Sequence, residues 1–459
     1  MIRIAPILLA TALAGCTASP LADTPTRAAI ADSSLSPMKG FDSSYPSAPS
    51  QSNSNIAADF LSLHFELESG RRLPVFTRFE TPITVRVAGR APDSLEPDLR
   101  RLLDRLRTEA TIDIRETDGA EASITIEAVS RAEIRRALPH AACFVVPNVS
   151  SLDEYRRKRR SPDTNWSTLT RRERMAIFLP YDSTPQEIRD CLHEELAQAL
   201  GPLNDLYRLP NSVFNDDNVH TVLTGFDMLI LRATYAPEIY SGMTKSEVAT
   251  ELPDILTRIN PHGDQRPAHA IAPTPRSWID EVQIVLGPGA GTDERRKAAQ
   301  SAAATAQKLG WKDHRRAFGY YMLGRMTQLD DAELAQQYYA SALGYLRNLP
   351  ETRLHQAYVI TQTAAYAISR GDGAEALDQI EPYLDVAARS ENAALLATLM
   401  LLKAEALDQT GQEDAARSVR LDSVGWARYG FGTDWAVRAK MQEIASLNPH
   451  KKRNSQSNG

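Results

Sequence analysis

The sequence predicts an α+β domain in its first half and an all-α domain of helical repeats in its second half. Between residues 82 and 127, segments of alternating apolar and polar residues, typical of half-buried strands, are interspersed with an amphipathic helical segment. Residues 293–447 favour helix almost throughout, and small residues recur there about 40 positions apart. Residues 260–292 begin with a stretch rich in Pro, His and Gly and are predicted to be a linker between the two domains.

Length and composition agree with a multidomain globular protein. The chain has 459 residues, which is more than one domain usually contains. Its formal net charge is −6, with 24% charged and 42% hydrophobic residues. These values indicate neither wholesale disorder nor a nucleic-acid partner.

The first residues resemble a bacterial lipoprotein signal peptide. Arg3 precedes an apolar run, residues 4–13, and the run ends in Leu13-Ala14-Gly15-Cys16, which is similar to a lipobox. The resemblance implies that residues 1–15 are removed and that Cys16 carries the lipid anchor. Thr17 follows Cys16 where retention at the inner membrane usually requires Asp, so the resemblance implies an outer-membrane location facing the periplasm. The alternative is an ordinary secretion signal.

Two segments are too polar to fold. Residues 16–57 consist largely of Ser, Pro, Ala, Asp and Asn and are predicted to form a disordered tether between the anchor and the first domain. Residues 448–459 are predicted to be a disordered tail. The first domain is therefore expected to span residues 58–259.

The first domain begins with a β-α-β-β order. Strands are predicted at residues 82–87, 112–115, 123–127 and 175–179, and an amphipathic helix at 93–108. Residues 131–173 are polar and basic and are predicted to be a loop or an elaboration of the domain.

A central helix is predicted from Pro185 to Leu200. Thr184 supplies an N-cap, with Pro185 at the first helical position, and Gly201-Pro202 ends the helix. Leucines at helical spacing form one face, which is expected to lie against a core. Glu194 and Gln198, four residues apart, point away from that face towards water or a cleft.

The residues of this helix and the turn after it resemble a degenerate metzincin motif. The zinc-protease pattern H-E-x-x-H fails at His193, because Ala197 occupies the place of the second histidine. Shifted by one residue, E-E-x-x-Q-x-x-G-x-x-N-D, residues 194–205, matches the spacing of the metzincin pattern H-E-x-x-H-x-x-G-x-x-H. The resemblance implies a metzincin-like fold with vestigial metal positions at Glu194, Gln198, Asn204 and Asp205.

Sequence beyond the helix extends the resemblance. Phe214 stands where matrixin-type metzincins have the methionine of the Met-turn, and L-T-G-F-D, residues 223–227, resembles the start of their closing helix. Together these motifs resemble a family of exported bacterial proteins known as a domain of unknown function and grouped with metzincin-like peptidases, over roughly residues 60–253. That resemblance implies a fold and no reaction.

The donor atoms at these positions do not favour zinc. Zinc prefers imidazole nitrogen and thiolate sulfur, whereas the four positions offer carboxylate and amide groups. No metal and no cofactor are therefore predicted. Calcium accepts oxygen ligands but usually takes six to eight, and four are visible here.

Two cysteines remain after Cys16, and the bacterial envelope is an oxidising compartment. Cys143 and Cys191 are therefore predicted to form a disulfide bond that ties the segment after the third predicted strand to the central helix. The alternative is a pair of buried free thiols.

The second half resembles tetratricopeptide-like repeats. Ala335, Ala376 and Ala416 each lie early in the second helix of a predicted helical pair, and Leu323, Ala364 and Ala404 lie twelve residues before them. The spacing exceeds the usual period of 34 residues. Such arrays commonly bind proteins, and the alternative is that the repeats only buttress the first domain.

Three hypotheses for function follow. The first is a lipid-anchored envelope protein with an inactive, pseudo-peptidase domain that binds a protein or peptide. The second is a hydrolase with Glu195 as general base, using an oxygen-bound metal or no metal. The third is a purely structural envelope lipoprotein.

Overall fold

A five-stranded sheet lies at the centre of the N-terminal half in the computed structural model, which describes residue 33 and residues 35–451. The strands are β1 (Ile83–Gly89), β2 (Ile114–Glu116), β3 (Ile124–Val129), β4 (Phe144–Pro147) and β5 (Met175–Pro180). Their order across the sheet is β2-β1-β3-β5-β4. Strands β1, β2, β3 and β5 are parallel, and the edge strand β4 is antiparallel to β5, with Phe144 opposite Phe178.

Seven helices accompany the sheet within the described part of this half. They are α1 (Asn53–Phe65), α2 (Leu95–Glu109), α3 (Arg131–Ala137), α4 (Leu152–Lys158), α5 (Pro185–Leu200), α6 (Gly225–Thr234) and α7 (Lys245–Ile259). Helices α1, α2, α5, α6 and α7 share one apolar core with the sheet, and α3 and α4 cover β4 and β5 with a smaller one. Both faces of β5 are therefore buried, as its continuous apolar run requires.

The central helix has the limits that local sequence predicts. Helix α5 runs from Pro185 to Leu200, and the Thr184 side chain accepts a hydrogen bond from the Glu187 backbone N–H at 3.1 Å. Leu192, Leu196 and Leu200 are fully buried, as predicted from their spacing. Strand β4 lies within the segment that the sequence predicts to be a loop. The prediction misses the strand because four apolar residues are too short a run to indicate a strand.

The C-terminal half is entirely helical where it is described. Its helices are α8 (Arg276–Leu286), α9 (Thr292–Lys308), α10 (His314–Thr327), α11 (Ala332–Leu346), α12 (Arg353–Arg370), α13 (Gly373–Arg389), α14 (Ala393–Gln409), α15 (Glu413–Phe431) and α16 (Asp434–Ala445). Successive helices pack against each other in the pairs α10/α11, α12/α13 and α14/α15. The predicted repeat positions Ala335, Ala376 and Ala416 lie in the second helix of each pair and are fully buried.

The predicted linker, residues 260–292, contains an ordered helix. Trp278, Val282 and Val285 form the buried face of α8. The Trp278 ring packs edge-on against Trp311, with the ring centroids 5.4 Å apart. The Pro-, His- and Gly-rich residues before Arg276 made the whole stretch resemble a linker, although the apolar spacing inside α8 is helical.

Ordered structure also begins earlier than the predicted tether boundary at residue 57. Helix α1 starts at Asn53, and residues 35–52, here called the N-terminal strap, run extended against the C-terminal helices. The Lys39 backbone N–H donates to the Gly425 carbonyl at 3.1 Å, and the Phe41 ring stacks on Trp426 with centroids 4.7 Å apart. These contacts hold a segment whose own composition supplies little apolar surface.

The two halves pack together, and residues 35–451 belong to one compact unit. Arg189 of α5 and Glu391, just before α14, form a buried ion pair with 3.3 Å between Nη1 and Oε2, and their side chains are 0% and 2% exposed. Arg101 of α2 also contacts Glu391 at 3.3 Å. The α/β half and the helical half are thus joined through the buried Arg189–Glu391 pair, to which the partly exposed Arg101 adds a second cation.

Several predicted features lie outside the described residues. These are the signal peptide at residues 1–15, the lipidation site Cys16, the first part of the tether and residues 452–459 of the tail. Among the described residues, the helices are too short or too polar to cross a membrane.

Candidate functional site

The candidate site is built at the C-terminal end of α5, where Arg172 fixes the backbone. Arg172 is 2% exposed and its guanidinium donates to the carbonyls of Gln198 and Gly201. Its Nε donates to the Thr77 hydroxyl at 3.2 Å. Burial lowers the pKa of Arg172 to about 10, so the group remains charged at neutral pH. The last carbonyls of a helix carry partial negative charge, which this cation stabilises.

Glu194 and Gln198 lie together on α5, as their spacing predicts. The Gln198 side-chain amide donates to Glu194 Oε1 at 3.5 Å, and Gln198 is buried. The turn after the helix then returns the chain to Asn204 and Asp205. The first two vestigial metal positions are therefore neighbours.

The side chains of Asn204 and Asp205 contact different parts of the protein. The Asn204 amide donates to the backbone carbonyl of Ser62 in α1 at 3.1 Å, so Asn204 serves to join the turn to α1. Asp205 forms a side-chain hydrogen bond with Glu68 and also interacts electrostatically with Glu194. Of the two adjacent residues, Asp205 is the one that joins the group around Glu194.

Four carboxyl groups make up what we call the acidic cluster: Glu68, Glu194, Asp205 and Asp216. Burial, followed by repulsion from Asp216 and Glu68, raises the pKa of Glu194 to about 8. Burial and its three neighbours in the cluster raise the pKa of Asp205 well above its usual range. The pKa of Glu68 is also raised, first by burial and then by repulsion from Asp216.

Glu68 and Asp216 complete the cluster from distant parts of the chain. Glu68 follows α1 and is exposed, so it marks the edge of the cluster that faces solvent. Asp216 accepts a hydrogen bond from the Tyr207 hydroxyl at 2.9 Å, yet burial still raises its pKa. Neither residue was predicted. The Asp216-Asp217 doublet was visible in the sequence, but nothing local indicated that it would meet α5.

Glu195 is separated from this arrangement. Its side chain is 5% exposed, and Oε2 has no hydrogen-bond partner among the described residues. Burial first, and then repulsion from Glu194 and Glu68, raises the pKa of Glu195 well above its usual range. Burial therefore favours the protonated form of Glu195, and its role as general base stays a prediction.

His193 and Phe214 are parts of the supporting structure. His193 Nδ1 accepts a hydrogen bond from the Leu223 backbone N–H at 3.1 Å, and burial lowers the pKa of this imidazole well below its usual range. Phe214, the predicted Met-turn equivalent, is fully buried, and its carbonyl accepts from the Leu206 N–H at 2.7 Å. Both residues order the loop between α5 and α6.

The donor groups here do not fit a zinc ion. The cluster offers carboxyl oxygens without imidazole or thiolate, and zinc prefers the latter two. Within the described residues, no three His, Cys, Asp or Glu side chains converge closely enough to hold any metal ion.

The predicted disulfide bond is present. Cys143 and Cys191 are joined, with 5.9 Å between their Cα atoms. Cys143 precedes β4 and Cys191 lies in α5, so the bond holds the edge strand against the central helix.

Residues 53–254 match a family described as protein of unknown function (DUF2927). The match begins at the first residue of α1 and ends within α7, so it covers the α/β half and excludes the helical half. No curated protein matches the chain, and no solved structure does.

Proposed function

We propose that this protein is a lipid-anchored cell-envelope protein whose α/β half is a metzincin-like scaffold without peptidase chemistry, and whose acidic cluster binds basic side chains of a protein or peptide. The observation that carries the proposal is the acidic cluster itself. It lies at the end of α5, where the metzincin pattern places zinc ligands, and burial together with repulsion among its members raises the pKa values of Glu194 and Asp205.

Two structural features support the scaffold and the compartment. The sheet has one antiparallel edge strand, β4, next to the central helix, which is the arrangement expected beside a metzincin-like cleft. The Cys143–Cys191 bond belongs to the class of bonds that persist in oxidising compartments such as the bacterial periplasm.

The electrostatics of the cluster select a positively charged ligand. A neutral group would leave the repulsion among Glu194, Asp205 and Asp216 unchanged, and an anionic group would increase it. A lysine ammonium or an arginine guanidinium would replace a retained proton and form charge-assisted hydrogen bonds to the carboxylate that it reaches. Because the carboxyls do not converge on one point, a side-chain cation that needs one or two of them fits better than a metal ion that needs several ligands at once.

Binding should therefore release protons. As the pKa of Glu194 is about 8, this group is largely protonated at pH 7, and a bound cation would lower that pKa and expel the proton. Isothermal titration calorimetry in buffers of different ionisation enthalpy measures that release. The probes are short peptides with a central lysine and the same peptides with acetyl-lysine, which is uncharged.

We expect the lysine peptides to bind with proton release and the acetyl-lysine peptides to bind at least tenfold more weakly. The double variant Glu194→Gln/Asp205→Asn should abolish the difference between the two peptides. Glu121→Gln, an exposed loop position, is the matched control and should behave as the parent protein. Equal binding of both peptides by the parent, or binding without proton release, would contradict the proposal and leave a purely structural role.

A further inference from the structure

A second site lies where the loop Asp217–Val219, which directly follows Asp216 of the acidic cluster, meets α10 and α12. The structure has a cavity of about 230 Å³ here. Its walls come from both halves of the protein and include His355, Phe318, Tyr321 and Tyr358. The cavity is smaller than the roughly 300–1,000 Å³ of drug-sized ligand pockets, so its occupant would be a molecule of about one ring.

The wall contains a buried nitrogen with no hydrogen-bond partner. His355 is 6% exposed, and its Nε2 contacts Asp217 Oδ2 at 2.9 Å. Its other ring nitrogen, Nδ1, has no partner among the described residues. Buried polar atoms are nearly always hydrogen-bonded in proteins, so this nitrogen indicates a partner that the chain itself does not provide.

The surroundings of Asp217 determine what His355 Nδ1 offers. Asp217 accepts from the Asn215 amide at 2.8 Å, from the Val219 backbone N–H at 3.0 Å and from His355. Oδ2 acts as an acceptor towards the Asn215 amide, so we place the hydrogen of the His355 contact on Nε2. In the neutral imidazole, Nδ1 is then an acceptor directed to a hydroxyl or N–H donor.

The remaining polar groups in the wall already have partners or face solvent. The Tyr358 hydroxyl accepts from the Asn392 amide at 2.7 Å. The Tyr321 hydroxyl accepts from Arg325 Nη1 at 3.2 Å, and Arg325 is exposed. The cavity thus combines an interior acceptor, aromatic walls and one cation at its solvent edge.

We propose that this cavity binds a small hydroxylated aromatic acid. Its ring would pack against Phe318, Tyr321 and Tyr358, because aromatic rings pack favourably against one another. Its hydroxyl would donate to His355 Nδ1, and its carboxylate would lie by the Arg325 guanidinium, a group suited to binding carboxylates. The proposal does not depend on the function of the acidic cluster.

Three probes of similar size separate the contributions. 4-Hydroxyphenylacetate carries both polar groups, phenylacetate lacks the hydroxyl, and 4-ethylphenol lacks the carboxylate. With the full-length protein, calorimetry and ligand-observed NMR should show 4-hydroxyphenylacetate binding about tenfold more tightly than either of the others. Failure of all three to bind at millimolar concentration, or equal affinity for all three, would overturn the proposal.

Two variants locate the binding. Ala317 lines the cavity and is 1% exposed, so Ala317→Leu should fill part of the space and abolish binding without loss of stability. Ala415→Leu, at an exposed position of α15, is the matched control and should bind as the parent does. His355→Phe keeps a ring but removes the acceptor, so it should abolish the preference for 4-hydroxyphenylacetate over phenylacetate. If Ala317→Leu folds and still binds the probe with parental affinity, the cavity is not the site.

Discussion

Arg172 carries a positive charge in the protein interior, and its hydrogen-bond acceptors include main-chain carbonyls at the end of α5. A guanidinium can donate to two carbonyls at once because its N–H groups are fixed in a plane, whereas a lysine ammonium presents a single point charge. Arg172 therefore fixes the path of the backbone directly after α5.

We expect Arg172→Lys to lower the free energy of unfolding by about 3 kcal/mol, because it leaves buried carbonyls without a donor. Urea denaturation followed by circular dichroism measures this. The neighbouring Arg171, which is exposed, provides the control: Arg171→Lys should change stability by less than about 0.5 kcal/mol. A comparable loss in both variants would mean that the two carbonyl contacts contribute little.

Glu194 should make stability depend on pH in a defined direction. Its pKa is raised from 4.5 to about 8, so the folded protein holds a proton that the unfolded chain releases between those values. Stability should consequently fall as pH rises from about 4.5 to 8.

We expect Glu194→Gln to match the parent near pH 4.5 and to exceed it by roughly 5 kcal/mol above pH 8, since the amide cannot ionise. Denaturation curves at pH 4.5 and pH 8.5 test this, with Glu121→Gln as an exposed control. If the parent and the variant show the same pH dependence of stability, the pKa of Glu194 is not raised in the folded protein.

At the scale of secondary-structure elements, the disulfide bond closes a loop with a sequence separation of 48 residues that includes β4, α4 and β5. We expect Cys143→Ala/Cys191→Ala to lower the free energy of unfolding by about 4 kcal/mol, because the unfolded chain regains the entropy of that loop. Reduction of the parent protein should give a similar loss without creating a cavity. A change below 1 kcal/mol by both routes would show that β4 and α5 pack equally well without the bond.

The turn after α5 offers a test of the metzincin likeness. Two triple variants share Glu194→His and Gln198→His and differ in the third change, Asp205→His or Asn204→His. We expect the Asp205 version to bind zinc at least tenfold more tightly, because Asp205 faces Glu194 whereas Asn204 is held by Ser62. Calorimetry and elemental analysis give the affinities and stoichiometries. Equal uptake by both folded variants would show that the turn does not orient the third ligand as inferred.

Local sequence predicts an element correctly where the residues that begin and end it lie in the element itself. Thr184-Pro185 and Gly201-Pro202 define both ends of α5, and the structure confirms them. Strand β4 is only four residues long and depends on its neighbour β5 for pairing, so no local pattern predicts it. The acidic cluster follows the same rule: Glu194 was found by its helical spacing, while Glu68 and Asp216 are brought to it by the tertiary fold.

At the scale of the whole molecule, Glu391 joins the two halves. It lies in left-handed backbone conformation with a φ of 52°, at a helix end where glycine is usual, and its carboxylate pairs with Arg189 and Arg101. The charge required at this position explains why a residue other than glycine accepts the backbone strain. No local pattern around Glu391 predicts this contact, and the sequence predicts two domains joined by a linker instead.

We expect Glu391→Gln to lower the free energy of unfolding by about 3 kcal/mol, since it leaves Arg189 buried without a counter-charge. Hydrogen exchange read by mass spectrometry should accelerate in β5 and in α14 alike, because both halves share the contact. Asp385→Asn, an exposed ion-pair partner in α13, is the control and should change stability by less than about 0.5 kcal/mol. Faster exchange confined to one half would indicate that the halves unfold independently.

The route of the N-terminal strap has a consequence for the order of events during synthesis. Lys39 forms an ion pair with Asp422, and the Ser36 carbonyl accepts from Arg428, so these partners are separated by 383 and 392 positions in the chain. A ribosome delivers the strap long before α15, so the surface that holds the strap does not exist when the strap emerges. The strap can therefore take its place only after α15 has been made and has folded.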